Sequence, residues 1–115
     1  MLYAKMIPNV LTDLLVVPPD TEMAISTIFF CNTSETQYDD FYIYGVPTGE
    51  TYGDENVILF KVRIDPTDTF TMDTERLILG PGDKLQAKSV YGLINSVVSA
   101  AVISWKQWKQ ILDKV

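Results

Sequence analysis

The 115-residue sequence contains no histidine, the side chain that most often serves as a catalytic base or a zinc ligand. Its absence excludes Ser–His and Cys–His nucleophile pairs and most zinc and iron sites. Carboxylates, lysines, tyrosines and one cysteine remain, and their spacing matches no calcium loop and no convincing glycosidase pair. We therefore expect a protein that is not an enzyme and that uses no cofactor or metal.

Cysteine and basic residues are also scarce. The one cysteine, Cys31, cannot form an internal disulfide, and its apolar neighbours favour a buried thiol that packs as a small hydrophobic group. Nine basic residues are outnumbered by 15 acidic ones, which gives a net charge of −6. A nucleic-acid-binding protein normally carries a basic patch, so direct DNA or RNA binding is not expected.

Long apolar runs are missing as well. The longest uncharged stretch, from Ser89 to Trp105, contains four serines and Asn95. It is shorter and more polar than the ~20 apolar residues of a membrane span. The first eight residues lack the basic and apolar regions of a secretory signal. We expect neither a membrane-bound protein nor a signal peptide here.

What the sequence does contain is a series of β-type segments rich in β-branched and aromatic residues, separated by turn signals. This spacing is typical of a β-sandwich or barrel. The segment Gly80-Pro81-Gly82-Asp83 predicts a type II turn, because proline and glycine occupy its second and third positions. The predicted strands are 2–7, 13–17, 22–32, 41–46, 57–64, 70–72, 76–79, 84–89 and 96–105.

Alternation of side chains predicts which face of each strand is buried. In 41–46, Phe41 and Ile43 would share one face, with Tyr42 and Tyr44 on the other. In 57–64, the sequence predicts a single apolar face that is opposed by Leu59, Lys61 and Arg63; its members are Ile58, Phe60, Val62 and Ile64.

The tyrosines form a first candidate binding surface. Tyr42 and Tyr44 would lie on one sheet face, and Tyr52 follows in the loop 47–56. Exposed tyrosines combine an apolar ring with a polar tip, which suits a protein-binding or sugar-binding platform. The alternative is that these rings belong to the core and to an ordinary sheet surface.

Acidic residues cluster at the turns, where a role in turn formation and solubility is the simpler interpretation.

The C-terminal residues form a second candidate binding surface. From Trp105 onward the β alternation stops, and five apolar side chains fall on one helical stripe about 120° wide. They are Trp105, Trp108, Ile111, Leu112 and Val115. We expect a short amphipathic helix that anchors to its own domain or to a neighbouring chain, since tryptophan is enriched at interface hot spots. A rival interpretation extends one helix back to Asn95 or Ser96.

Several segments, taken in order, resemble the small β-sandwich virion proteins of tailed bacteriophages, particularly of cyanobacterial and other marine phages. The segments are Cys31-Asn-Thr-Ser34, Phe41-Tyr-Ile-Tyr-Gly-Val-Pro47, Asn56-Val-Ile-Leu-Phe-Lys-Val-Arg-Ile64, Phe70-Thr-Met-Asp73, Arg76-Leu-Ile-Leu-Gly-Pro-Gly-Asp-Lys-Leu-Gln-Ala87 and Val97-Val-Ser-Ala-Ala-Val-Ile103. The resemblance covers roughly residues 10–105. It implies no active site, and the C-terminal extension is not part of it.

Together these observations predict an all-β protein. We expect an antiparallel, jelly-roll-like β-sandwich of about eight strands over residues 1–105, with the amphipathic extension at 106–115. The resemblance implies a structural protein of the virion (tail, baseplate, connector or capsid surface) that binds other virion proteins and copies of itself. A carbohydrate-binding or host-adhesin module is the alternative, which keeps a glycan among the possible partners.

Overall fold

The computed structural model describes residues 1–103, apart from the side chains of residues 74–76. Within this range the chain forms eight β-strands and a short 3-10 helix at Asp54–Asn56. The strands are β1 (Leu2–Ile7), β2 (Thr12–Val16), β3 (Glu22–Asn32), β4 (Asp39–Val46), β5 (Val57–Ile64), β6 (Thr69–Leu79), β7 (Lys84–Ser89) and β8 (Ile94–Ile103). No helix in the described part is both long and apolar enough to cross a membrane.

The strands form two antiparallel four-stranded sheets. Sheet A has the order β1-β8-β3-β6, and sheet B has the order β2-β7-β4-β5. Consecutive strands alternate between the sheets, except that β4 and β5 are neighbours in sheet B. The prediction of an all-β fold with two antiparallel sheets is confirmed for residues 1–103.

The core lies between the two sheets and is built from the alternating residues that the sequence marks as apolar. Phe30 of β3 and Phe41 of β4 meet across the core with ring centroids 4.4 Å apart, and Phe70 of β6 packs against both. Leu85 and Ala87 of β7 are fully buried, as their alternation predicts. Each large apolar side chain buried in this way contributes about 1.5–3 kcal/mol relative to an exposed position.

Strand boundaries agree with the sequence prediction at most positions. The two short segments predicted at 70–72 and 76–79 are parts of one strand, β6, because both pair with β3. β8 pairs along its length with β3, so a helix starting at residue 95 or 96 is wrong for residues up to 103. The helix predicted from Trp105 onward lies outside the described residues.

The predicted apolar face of β5 is wrong at Phe60. Lys61 has a positive φ of 51°, and the pairing of β5 with β4 shifts register there. This β-bulge inserts one extra residue, so Leu59 and Val62 both pack toward the core. Phe60 is therefore turned outward and is 64% exposed.

A second register shift explains why the apolar pattern of β3 is imperfect. The pairing shifts between Ile25 and Thr27, so Met23 and Ile25 are buried before the shift, and Ile28 and Phe30 are buried after it. Cys31 is half-buried, less than its apolar surroundings predict.

The turn at Gly80–Asp83 has the predicted type II features. The amide of Asp83 donates to the carbonyl of Gly80 at 3.1 Å, and Gly82 has a φ of 79°. A β-carbon at position 82 would come within 2.6 Å of the Thr48 hydroxyl oxygen. Both the backbone conformation and the contact with the loop between β4 and β5 therefore require glycine here.

Candidate functional site

The outer face of sheet B carries the side chains of β4 that alternate with its core residues. Phe41 and Ile43 are fully buried in the core, which places Tyr42 on the opposite face. There the Tyr42 ring meets the Phe60 ring edge-on, with centroids 5.3 Å apart. This contact exists because the bulge at Lys61 turns Phe60 outward.

The loop between β4 and β5 adds a further pair of rings to this face. Tyr52 packs edge-on against Tyr44 at 5.2 Å between centroids. Tyr44 is almost fully buried in consequence, whereas Tyr52 remains 45% exposed. The sheet thus holds the inner ring, and the loop presents the outer one.

Hydrogen bonds to a neighbouring turn fix the start of this loop. The Thr48 amide donates to Asp83 Oδ1 at 2.9 Å, and the Gly80 amide donates to Oδ2 of the same carboxylate at 2.8 Å. A tight turn from Pro47 to Glu50 follows, closed by a 3.0 Å backbone bond. Asp83 thereby ties the loop that carries Tyr52 to the β6–β7 turn.

A lysine from the neighbouring strand joins the two aromatic pairs. Lys88 Nζ lies 5.1 Å from the Tyr42 ring centroid and 5.6 Å from the Tyr52 centroid, within the range of cation–π attraction. We call this group the aromatic patch; its members are Tyr42, Tyr44, Tyr52, Phe60 and Lys88. It offers exposed apolar rings around one positive charge.

A second cluster, which is more polar, lies near the N-terminal end of β4. Arg63 forms a salt bridge with Asp40 at 3.0 Å, and its guanidinium carbon lies 3.9 Å from the Tyr38 ring centroid. Tyr38 in turn meets Tyr91 edge-on at 6.0 Å. We call these four residues the Arg63 cluster.

The electrostatics of the Arg63 cluster follow from its contacts. Hydrogen bonding with Tyr38 is the main cause that raises the pKa of Tyr91. The hydrogen bond with Asp40 is the main cause that raises the pKa of Arg63. Both changes favour the states already present near neutral pH, a charged Arg63 and a protonated Tyr91.

The adjacent carboxylate of Asp39 has a structural role. It is fully buried and accepts hydrogen bonds from the backbone amides of Asp40, Val90, Tyr91 and Leu93 at 2.8–3.2 Å. Asp39 therefore stabilises the turn between β7 and β8, and Asp40 forms the salt bridge with Arg63. Among the side chains that the structure describes, which exclude those of residues 74–76, no three cysteine or acidic groups lie close enough together to hold a metal ion.

The structure brings together three of the residues predicted from the sequence to bind a partner: Tyr42, Tyr44 and Tyr52. Tyr44 contributes as a support for Tyr52, since little of its own ring is exposed. The remaining predicted residues lie outside the described part of the chain; they are Trp105, Trp108, Ile111, Leu112 and Val115.

Sequence reasoning missed Phe60 and Lys88. Strict alternation along β5 assigns Phe60 to the core. Only a sequence feature that marks the β-bulge at Lys61 could have corrected this prediction. Alternation along β7, where Leu85 and Ala87 are buried, places Lys88 on the outer face, but its position beside Tyr42 depends on β7 pairing with β4, where the two residues are direct partners. No local sequence signal specifies that pairing.

No family model matches this chain, and neither a curated protein nor a solved structure is significantly similar to it.

Proposed function

We propose that this protein is a non-catalytic structural component of a tailed-phage virion that acts through protein–protein contacts. The aromatic patch is the contact surface on the described part of the chain. The observation that carries the proposal is the exposure of Phe60 and Tyr52 around Lys88 on one sheet face. Aromatic residues are enriched at protein interfaces, and hot spots favour large rings such as tyrosine.

The chemistry of the patch favours a protein partner. Phe60 and Tyr52 can bury large areas of apolar surface with little loss of conformational entropy. Lys88 can pair with a partner carboxylate at the same site, which would add orientation to the apolar contact. Asp40 of the Arg63 cluster lies on β4, the strand that carries Tyr42, and the cluster would add polar contacts at the rim.

The strand order supports the finer classification of the fold as a jelly roll. Two four-stranded sheets of order β1-β8-β3-β6 and β2-β7-β4-β5 fit the eight-stranded, double Greek-key arrangement that recurs in viral capsid and lectin domains. This argument is one of fold-level analogy, since the same fold serves many functions. It agrees with the virion proteins that the sequence resembles.

Mass spectrometry and electron microscopy of purified phage particles test the proposal. The protein should be present at a fixed copy number, with the aromatic patch covered by a neighbouring chain in the particle map. Its absence from purified particles, or a patch that faces solvent in the assembled map, would contradict the proposal.

A carbohydrate-binding module is the second candidate, and the exposed Tyr52 ring, packed against Tyr44, is the observation that favours it. Sugars stack on exposed aromatic faces, and lectin domains share the proposed fold. A glycan array would detect binding that Tyr52→Ala abolishes and that Phe29→Ala, on the outer face of sheet A, retains. An array without any glycan bound by the wild-type protein would remove this candidate.

A further inference from the structure

The outer face of sheet B concentrates positive charge, although the chain as a whole carries a net charge of −6. On β7, Lys84 and Lys88 alternate with buried residues and therefore face outward. On β5, Lys61 and Arg63 are both exposed. Four basic side chains thus lie on the face that carries the aromatic patch.

Acidic side chains on this face are fewer, and both have partners. Asp40 forms its salt bridge with Arg63. Asp13 of the edge strand β2 accepts a hydrogen bond from Gln86 Nε2 at 2.7 Å. Among the side chains that the structure describes, the three lysines of this face form no salt bridge. The aromatic patch is therefore an apolar surface surrounded by unpaired positive charge.

The opposite chemistry lies at one end of the sandwich, where the loops that follow β1, β3, β5 and β7 meet. Backbone hydrogen bonds of 2.9–3.0 Å join these loops in pairs, from Thr67 to Ser34, from Thr33 to Leu93 and from Ser89 to Pro8. The four loops therefore form one continuous surface.

This end of the sandwich exposes apolar and acidic side chains together. Val10, Val90 and Tyr91 are exposed apolar residues of its loops. Glu35 and Asp65 are also exposed, and neither side chain forms a hydrogen bond or a salt bridge within the part of the chain that the structure describes. We call these five residues the end surface.

Two aromatic patches are poorly suited to bind each other. A symmetric dimer places the same surface of both copies in contact, so residues near its centre meet their own counterparts. Lys88 lies beside the rings of Tyr42 and Tyr52, so this contact would bring two lysines together. Like charges in contact are unfavourable at an interface. The patch therefore needs a partner surface that is apolar and acidic, as the end surface is.

From this complementarity we infer that the aromatic patch of one copy binds the end surface of a second copy. The apolar residues of the end surface pack on the rings of the patch, and its carboxylates pair with Lys88. This contact rests on the proposed function, because it names the partner of the same patch.

Such a contact is head-to-tail, since it joins two different surfaces. Asp65 follows Phe60 by five residues, or about 16 Å of extended chain, so one copy can use both surfaces at once. Each bound pair keeps one free patch and one free end surface. Association therefore continues into rings or filaments and does not stop at a dimer.

Charge reversal at the end surface tests this contact by sedimentation velocity. The end variant, Glu35→Lys with Asp65→Lys, should be monomeric at concentrations where the wild-type protein associates. The control, Glu22→Lys with Asp73→Lys, makes the same change of charge on sheet A and should associate like the wild type.

A folded end variant that associates like the wild type would overturn the inference and would leave the patch as an assembly surface of another kind. Circular dichroism checks the fold of each variant. If the end variant does not fold, Tyr91→Ser replaces it, because this exposed ring is the largest apolar group of the end surface. Undiminished association of Tyr91→Ser would overturn the inference in the same way.

An equimolar mixture of two variants gives the most specific test. The patch variant, Tyr52→Ser with Phe60→Ser, retains its end surface, and the end variant retains its patch. One molecule of each offers a single usable contact, so the mixture should form dimers and no larger species. A mixture that remains monomeric would overturn the inference.

Salt concentration tests the contribution of charge. Raising sodium chloride from about 0.05 M to about 0.5 M screens charges that are more than a few ångströms apart. The dissociation constant of the wild-type association should rise several-fold. An association that salt leaves unchanged or strengthens would contradict the pairing of Lys88 with the carboxylates of the end surface.

These outcomes are distinguishable from failure of the proposed function. A wild-type protein that stays monomeric at every concentration overturns the contact between copies. The proposed function fails on a different result, an aromatic patch that faces solvent in the map of the assembled particle.

Discussion

At the scale of single residues, Asp39 shows how a buried charge can serve the fold. Its carboxylate receives four backbone N–H groups, three of them from the turn between β7 and β8. Hydrogen bonds to a charged acceptor are stronger than those between neutral groups, which offsets the cost of removing the carboxylate from water. Asp39 thereby holds the start of β4, and with it the first residues of the outer face of sheet B.

We expect Asp39→Asn to lower the free energy of unfolding by about 1–3 kcal/mol, because the amide NH₂ would face backbone donors. Urea denaturation followed by circular dichroism would measure the change. Asp54→Asn, at an exposed position in the 3-10 helix, is the control and should leave stability nearly unchanged. Equal stability of the Asp39→Asn and wild-type proteins would show that the carboxylate is dispensable.

Replacing phenylalanine by alanine at position 60 and at position 41 tests whether the Phe60 side chain points outward. Phe41 is 0% exposed and Phe60 is 64% exposed. Phe41→Ala should therefore lower the free energy of unfolding by about 3–5 kcal/mol. Phe60→Ala should change it by about 0.5 kcal/mol or less. A loss at Phe60 comparable with that at Phe41 would mean that β5 follows the simple alternation and that the bulge is absent.

At the scale of strands and turns, the sequence identified most elements but not their irregularities. The strands β1, β3, β5 and β7 have the predicted bounds because their apolar periodicity and flanking turns are clear. The bulges in β3 and β5 could not be predicted, since an extra residue is defined only relative to the partner strand. The split prediction for β6 failed for a related reason: pairing with β3 keeps the middle of the strand extended.

The turn glycines allow backbone strain to be separated from steric contact. Gly82→Ala should be the most destabilising change because it combines a positive φ with a 2.6 Å contact to Thr48. Gly49→Ala has a positive φ but open space around the β-carbon, so it should cost about 1–2 kcal/mol from strain alone.

Gly53→Ala is the control of this series, since its backbone is extended and its β-carbon would come no closer than 3.9 Å to another group. Thermal unfolding of the three variants should therefore rank Gly82→Ala below Gly49→Ala, and Gly49→Ala below Gly53→Ala, in melting temperature. Any other order would contradict the turn geometry described above.

At the scale of the whole molecule, the candidate site depends on the arrangement of the strands. Tyr42, Tyr44 and Tyr52 were predictable because they are close in sequence, on one strand and the loop that follows it. Lys88 joins them only because β7 is the neighbour of β4 in sheet B. The sequence alone does not determine this order, since several pairings of eight similar strands would satisfy the same alternation.

The fold as a whole also supports the aromatic patch as a binding surface. Tyr42, Tyr44 and Phe60 of the aromatic patch lie on strands of a sheet whose other face is part of the core, so these rings are held on a rigid support. The loop ring of Tyr52 packs against Tyr44. Binding sites on strands are positioned more precisely than sites on loops. This rigidity favours the patch as a surface for assembly between protein chains.

Sedimentation velocity of the purified protein over a concentration series tests the patch as an assembly surface most directly. The wild-type protein should associate with itself as its concentration rises. The double variant Tyr52→Ser, Phe60→Ser should remain monomeric, and Phe29→Ser, on the outer face of sheet A, should associate like the wild type. A wild-type protein that stays monomeric throughout, or a double variant that associates equally well, would contradict this account.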